Sequence, residues 1–336
     1  ERANSMKMSS KDIAALISDP VRDHLEKFNA VFFPQRMKTD VALLNMVLRY
    51  MHKSRGKQVR PTLVFLCAGL CGSISERSYV GATMVELLHT ATLVHDDVVD
   101  NAEKRRGLAS INAVWKNKVA VLVGDYLLSR GLLVAVDYNE HGFLGVTSRA
   151  VQRMSEGELL QIQKSRQKTL DEKTYYSIIS DKTASLVSTC CEIGAMSASN
   201  SAAVHTQLRD CGEALGMAFQ IRDDVLDYTS RTAILGKPVG NDIREGKITL
   251  PLLLALQGAP AAEGKKIIAM VKKKRADDRE VEFVQAFVRS HQGIDLAQAK
   301  ARAFGDEAKT ILLQFSDSPY RSALLAFAEY VSERER

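Results

Sequence analysis

Helix breakers are scarce in this sequence. Seven prolines and 20 glycines punctuate 336 residues, too few for a loop-rich or turn-rich architecture. No stretch alternates apolar and polar side chains well enough to read as a strand. Five cysteines lack pairing arithmetic: Cys190 and Cys191 are adjacent, and Cys67 and Cys71 stand one helical turn apart with no second pair or neighbouring histidine. That excludes a disulfide scaffold and a zinc site, leaving buried thiols in a reducing compartment as the expectation. No apolar run reaches the roughly 18–20 uninterrupted residues of a bilayer span, and no signal peptide precedes the first helical pattern, so the expected location is cytoplasmic. The net charge is +6, but the bases are dispersed among acids apart from KKKR at 272–275, which reads as a solvated helix end. No patch interleaves clustered bases with aromatics, which excludes nucleic acid as a partner.

What is present suits long helices around a sizeable core. Hydrophobic residues make up 46% of the chain, enough for a large buried interior. Apolar residues recur at three-and-four spacing over 12–30, 42–53, 60–71, 80–100, 119–138, 147–164, 174–196, 202–228 and 248–256. That spacing predicts helices joined by short punctuators such as SRGKQVRP and CGSISER. The stretch 234–247, ILGKPVGNDIREGK, breaks the regularity, and loops of that length inside compact domains are usually functional. Beyond Pro260 the helical pattern continues with no linker composition. The expectation is an all-α fold, one large helical bundle over 12–336, with 1–11 a disordered or vector-derived leader.

One pattern occurs twice. DDVVD at 96–100 returns as DDVLD at 223–227, each after an amphipathic helix. At about 100° per residue the first and fifth positions of such a box lie about 40° apart and one turn along, so their carboxylates project together. Two anions so placed repel, and the arrangement needs a cation. Hard carboxylate oxygens at this spacing suit Mg²⁺, which keeps several waters and is commonly shared with substrate phosphates. One box alone could be a solvated helix end. Two copies set in apolar sequence, LLHTATLV before the first and MAFQI before the second, argue against two independent solvated faces.

Cations accompany the boxes. GKQVRP supplies Lys57 and Arg60, His89 lies seven residues before Asp96 on nearly the same stripe, and Arg105 and Arg106 follow the first box. Arginine offers phosphate a planar fork, lysine a point charge. Together they describe a pocket with two anion sites, one metal-mediated and one direct through Lys57, Arg60, His89 and Arg106.

From about residue 12 to its C-terminus the chain resembles the trans-isoprenyl diphosphate synthases, or polyprenyl synthetases. The marks are GKQVRP, ELLHTATLVHDDVVDNAEKRRG, GDYLLSR, EGELLQ, DKTASL, FQIRDDVLDYTS, GKPVGNDIREGKITLP and ALLAFAEYVSER, in that order. The resemblance implies an all-α fold around a deep cavity, usually homodimeric, using Mg²⁺ to condense isopentenyl diphosphate with an allylic diphosphate. It implies that Asp96, Asp97, Asp100, Asp223, Asp224 and Asp227 hold the metals bridging the allylic diphosphate. Lys57, Arg60, His89 and Arg106 would bind isopentenyl diphosphate. Arg105, Lys182, Thr183, Gln220, Lys237 and Lys247 would contact the allylic partner, with Lys182 and Lys237 neutralising the departing pyrophosphate. Gln58 stands where many relatives carry arginine, a small change because Lys57 and Arg60 are retained. Peripheral membrane contact for product release belongs to the same expectation.

Counting back from Asp96, Thr92, Leu88 and Val85 fall within about 80° of its direction with Ala91 beside them. They are expected to line a tail channel about 6, 12 and 16 Å below the metal site for Thr92, Leu88 and Val85. Short-chain members of the family tend to carry a bulky aromatic four or five residues before the box; here those positions hold Thr92 and Ala91. A long-chain, octaprenyl-like product is therefore expected over a farnesyl or geranylgeranyl one. A class I terpene cyclase also uses an aspartate-rich box, but it needs an aromatic-lined pocket and only one diphosphate site. Aromatics are 6% of this chain, and GKQVRP with His89 and Arg106 would have no role there. A catalytically silent partner subunit would be expected to lose aspartates or arginines from one box, and both boxes are intact.

Overall fold

The computed structural model describes residues 10–37, 39–53, 56, 58–105, 107–167, 171–229, 240–273 and 276–333. In chain order the helices are α1 (Ser10–Ser18), α2 (Arg22–Lys27), α3 (Phe33–Arg36), α4 (Ala42–Lys53), α5 (Val59–Cys71) and α6 (Glu76–Val99). They continue with α7 (Ile111–Asp137), α8 (His141–Gln167), α9 (Glu172–Ile179), α10 (Ser185–Ala198), α11 (Ala202–Thr229) and α12 (Asn241–Arg244). The last are α13 (Leu250–Gly258), α14 (Ala261–Val271), α15 (Asp278–Ser290), α16 (Gly293–Leu312) and α17 (Pro319–Glu333).

The all-α expectation holds, with local departures. A small hairpin follows α6 where no strand was expected: β1 (Lys104–Arg105) pairs antiparallel with β2 (Leu108–Ala109), and Gly107 takes φ +81° in its turn, a conformation glycine adopts without strain. The helix expected over 174–196 is divided by a π-helical turn, Ser180–Ala184. The one expected over 12–30 is broken by a 3₁₀ turn at Asp19–Val21, which carries Pro20, and by a π turn at Phe28–Phe32. Single propensities do not register such one-residue register changes.

Two apolar clusters share α11. The larger joins α5, α6, α7, α10 and α17 with Phe65, Met84, Leu87, Leu127 and Ile193 at its centre. The smaller joins α9, the far end of α11 and α13 to α16 through Tyr175, Tyr228, Leu252 and Phe287, and Phe304 packs against both. Close approach of helices requires glycine at Gly194, where a Cβ would meet the Val64 carbonyl at 2.5 Å, and at Gly216, where it would meet Ala184 Cα at 2.5 Å. Four of the five cysteines are buried and Cys71 is half-buried; all five are free, as expected. They gather at one place: Cys67, Cys71 and Cys211 all lie within reach of Cys191.

Among the described residues one helix, α7, has the length and composition to cross a bilayer, with mean hydropathy 1.8 over its most apolar stretch. The sequence reading missed it because charges interrupt the run. Here α7 lies against α6, kinks at Lys116 (φ +71°) and leaves Val121, Leu122, Leu133 and Val136 exposed.

Candidate active site

Both acidic boxes occupy the electrostatically unfavourable end of a helix. Asp96, Asp97 and Asp100 close α6, and Asp223, Asp224 and Asp227 close α11, where the helix dipole is negative and a carboxylate costs about 0.3–1 kcal/mol. Stability does not explain that placement. The end of α6 is fixed by its backbone: Asn101 takes φ +50°, the Ala102 N–H donates to the Asp97 carbonyl at 2.9 Å and the Asn101 N–H to the Val98 carbonyl at 3.3 Å. This is a Schellman ending with asparagine in the left-handed position. The chain then turns into the hairpin, which brings Arg105 back onto the box.

In the first box the three carboxylates differ. Asp97 is buried, 4% exposed, and accepts from Arg105 Nε at 2.8 Å and Nη2 at 2.7 Å. Asp96 is half-buried and Asp100 exposed. Burial raises the Asp96 carboxyl against the pull of Lys182, and Glu158 and Asp100 raise it further. Burial also raises Asp97, with Arg105 opposing.

The second box is held more tightly. Asp224 accepts from the Tyr175 hydroxyl at 2.7 Å and from Gln220 Nε2 at 2.8 Å. Burial and the nearby charge of Asp242 nevertheless push its pKa up to about 7. Asp227 accepts the Asn241 and Asp242 backbone N–H groups, each at 3.1 Å, and its carbonyl takes the Gly240 N–H at 3.0 Å. It thereby caps α12 and pins the end of the functional loop. Burial raises Asp227 against those two backbone donors. Asp223 is half-buried one turn earlier.

Two lysines tie the boxes to one cleft. Lys182, on the π turn, pairs with Glu158, reaches Gln161 Oε1 at 3.4 Å and lies close enough to Asp96 to lower its pKa. Lys247 pairs with Glu245 at 2.6 Å; burial pulls its ammonium down, but Glu245, Asp242 and Asp100 outweigh that and raise it. Each lysine thus feels the first box while lining a cavity of about 300 Å³ whose wall includes Asp224, Thr183, Gln220, Tyr175 and Asp242. A larger cavity of about 460 Å³ is lined by His89, Arg49, His52, Asp97, Arg105 and apolar groups including Met37 and Leu93.

The expected residues are distributed as follows. Lys182, Thr183, Gln220 and Lys247 meet at the smaller cavity, and His89 lines the larger one. Arg105, expected with the allylic group, lines the His89 cavity beside Asp97, to which it is bonded. Arg60 is half-buried at the start of α5 and lines neither cavity; its charge reaches Cys190. Lys57, Arg106 and Lys237 lie outside the described residues. Of the residues expected along the tail channel, Val85 and Leu88 are 0% and 1% exposed and Ala91 1%, and all three pack in the larger core. Thr92 is half-buried and donates to the His89 carbonyl at 2.8 Å. The helix face chosen by counting back from Asp96 is one that neighbouring helices cover, with α7 approaching α6 through Gly131, whose Cβ would sit 3.4 Å from Leu87 Cβ.

Sequence reasoning missed several lining groups. Asn45, Arg49 and His52 stand at i, i+4 and i+7 on α4, a one-face spacing that was readable. Lys272 of the KKKR run is half-buried on the smaller cavity's wall with Lys164, so the reading as a solvated helix end is wrong for that residue. Tyr175 carried no signal beyond its helix.

Among the described residues no three carboxylates, imidazoles or thiols converge closely enough to hold an ion by themselves. The donor chemistry nonetheless fits a hard cation. Oxygen donors dominate, and burial raises the carboxyls of Asp96, Asp97, Asp224 and Asp227, so a bound cation would favour their charged forms. Asp97, Asp224 and Asp227 have oxygens engaged by protein donors. Mg²⁺ is suited to such partial ligation because it retains waters and shares substrate phosphates.

Residues 41–288 match the polyprenyl synthetase family. The chain belongs to that family. As a polyprenyl synthetase it is a prenyltransferase, and it is 34% identical over 322 residues to octaprenyl diphosphate synthase of Haemophilus influenzae, covering 96% of both chains. A solved polyprenyl synthase from Caulobacter crescentus, complexed with calcium and isoprenyl diphosphate, superposes with a TM-score of 0.87 at 33% identity over 98% of this chain and 99% of that one. A decaprenyl diphosphate synthase from Rhodobacter capsulatus gives 0.89 at 34% identity over 96% and 99%.

Proposed function

We propose that the protein is a Mg²⁺-dependent synthase that adds isopentenyl diphosphate repeatedly to an allylic diphosphate, giving a long-chain trans-polyprenyl diphosphate of octaprenyl type. The observation that carries this reading is a cavity lined by Asp224, Lys182, Thr183, Gln220 and Lys247, whose two lysines also act on Asp96 and Asp100 of the other box, beside a second cavity lined by Asp97, His89 and Arg49. The allylic diphosphate occupies the smaller cavity, against Lys182, Thr183, Gln220 and Lys247. Isopentenyl diphosphate occupies the larger, against His89, Arg49 and His52. Asp96, Asp97, Asp100, Asp223, Asp224 and Asp227 are the carboxylates that would hold Mg²⁺, with Asp97, Asp224 and Asp227 also fixed by protein donors.

When bound, Mg²⁺ supplies charge stabilisation for the diphosphate oxygens. The allylic C–O bond breaks, its electron pair leaving with pyrophosphate, whose charge Lys182 and Lys247 balance. The isopentenyl double bond attacks the allylic carbon, and a proton lost from the adduct to the departing pyrophosphate restores an alkene. Leu93, Val94 and Met37 along the larger cavity keep water from the allylic cation. No side-chain nucleophile is required. The long-chain assignment rests on the long-chain relatives and on the small Ala91 and Thr92. The growing tail requires the sealed residues Val85, Leu88 and Ala91 to move apart from their neighbours.

A homodimer in the cytoplasm is part of the proposal. The exposed apolar side chains of α7, Leu122 at 59% and Leu133 at 49% among them, form a face that a second copy would cover. Incubation with labelled isopentenyl diphosphate, Mg²⁺ and C5 to C20 allylic primers tests the reading. A ladder of long products, abolished by chelation, supports it. Short products only, or turnover indifferent to the chelator, refute it.

A further inference from the structure

The π-helical turn Ser180–Ala184 joins the two halves of the site. On one side Lys182 reaches toward Asp96. On the other, Thr183 Oγ1 donates to Gln220 Oε1 at 2.9 Å, and Gln220 passes the contact to Asp224 at 2.8 Å. Lys182 and Thr183 both line the smaller cavity, whereas Ser180 and Asp181 face the opposite way, onto α8. A π turn inserts one residue into a helix and is commonly found at functional sites. It needs something to hold its altered register.

That something is Arg153 of α8. Its Nε donates to Asp181 Oδ1 at 2.8 Å, and its Nη2 donates to Ser180 Oγ at 2.8 Å and to Glu213 Oε1 at 2.8 Å. Nη1 completes a fork on Glu213 with a bond to Oε2 at 3.2 Å. Ser180 Oγ donates to the same Glu213. One guanidinium therefore joins α8, the π turn and α11. Lysine could not do this, because it lacks the planar fork. Glycines flank the clamp: a Cβ at Gly157 of α8 would meet Asp181 Cβ at 2.9 Å, and one at Gly216 of α11 would meet Ala184 Cα at 2.5 Å. The turn is thus gripped from both faces, with its polar side fixed by Arg153 and its outward side carrying the two cavity residues.

We propose that Arg153, which reaches neither substrate cavity, is a positioning residue: it sets the register of the π turn and so places Lys182 and Thr183 on the allylic diphosphate. The inference rests on the prenyl-transfer reading above. Steady-state kinetics with both substrates varied, together with thermal melts, test it in Arg153→Ala, Arg153→Lys and the isosteric Glu213→Gln. A displacement of about 1 Å at a reacting group costs about 100-fold. Arg153→Ala is expected to lower kcat and raise the allylic KM, with kcat/KM for the allylic substrate falling between about 10-fold and 100-fold, while the isopentenyl KM moves less than about twofold. Arg153→Lys retains charge but not the three-way fork and is expected to recover only part of the loss. Glu213→Gln shifts the allylic KM in the same direction and decides the matter if Arg153→Ala does not fold. Equal movement of both KM values, or a lower melting temperature with unchanged kinetics, overturns the positioning role. If the wild-type protein itself fails to condense the two substrates, the prenyl-transfer reading fails instead.

Discussion

Gly216→Ala adds one methyl group to α11 where no room exists for it. The new Cβ would lie 2.5 Å from Ala184 Cα, 2.8 Å from Ala184 Cβ and 3.3 Å from the Ala184 carbonyl oxygen. Backbone cannot rotate away as a flexible side chain would. Restoring ordinary contact at 3.5 Å or more moves the π turn by about 1 Å, and overpacking of this kind costs about 1–3 kcal/mol. Because Lys182 and Thr183 ride on that turn, the same shift lowers prenyl transfer by about 100-fold. Gly258→Ala is the control, since nothing lies within 4 Å of its added Cβ. The assay is initial-rate incorporation of labelled isopentenyl diphosphate beside a thermal melt. A Gly216→Ala protein that melts lower but keeps kcat and allylic KM within about twofold would refute the link between the turn and catalysis.

Other substitutions probe separate parts of the site. Arg49→Ala, removing a cation from the larger cavity, is expected to raise the isopentenyl KM by about 10-fold to 100-fold, a charge-assisted contact being worth about 1.5–3 kcal/mol, and to leave the allylic KM unchanged; the reverse pattern would exchange the two cavities. Ala91→Tyr places an aromatic ring at a site 1% exposed, so it should lower stability by about 1–3 kcal/mol and shorten the product. An unchanged product ladder on thin-layer chromatography would show that the tail grows elsewhere. The thiols should be inert in the folded protein, since burial raises all four whose shifts are resolved, or raises them together with a thiol–thiol hydrogen bond, and pushes Cys71 to about 12. Fast labelling of two or more cysteines at neutral pH by a thiol reagent would contradict that packing.

Most of the helical architecture was legible because burial in this fold is periodic. The apolar stripes of 42–53, 60–71 and 202–228 reappear as α4, α5 and α11 within a few residues. The repeated aspartate box was legible for a different reason: like charges in an apolar setting need an explanation, and the lysines nearest both boxes line one cavity. Three things could not be read. The π turn at Ser180–Ala184 leaves composition unchanged and alters only which way Lys182 and Thr183 point. The donors that fix Asp97, Asp224 and Asp227 are Arg105, Tyr175, Gln220 and the backbone of α12, brought in from 4 to 49 residues away for the side chains and from 14 and 15 for the backbone N–H groups. Burial of Val85, Leu88 and Ala91 depends on how closely α7 approaches α6, a tertiary fact that a helical wheel does not contain.

The central claim is that carboxylates from both boxes grip one diphosphate together through Mg²⁺. A double-mutant cycle tests it directly, with titration calorimetry of an unreactive allylic thiolodiphosphate in the presence of Mg²⁺ on the wild type, Asp96→Asn, Asp223→Asn and the double variant. Groups that act on one ligand as a unit couple by about 0.5–3 kcal/mol, so each single change should weaken binding at least about tenfold and the double change little more than the worse single one. Losses that simply add would mean that the two boxes bind independently, and the shared cleft would be wrong.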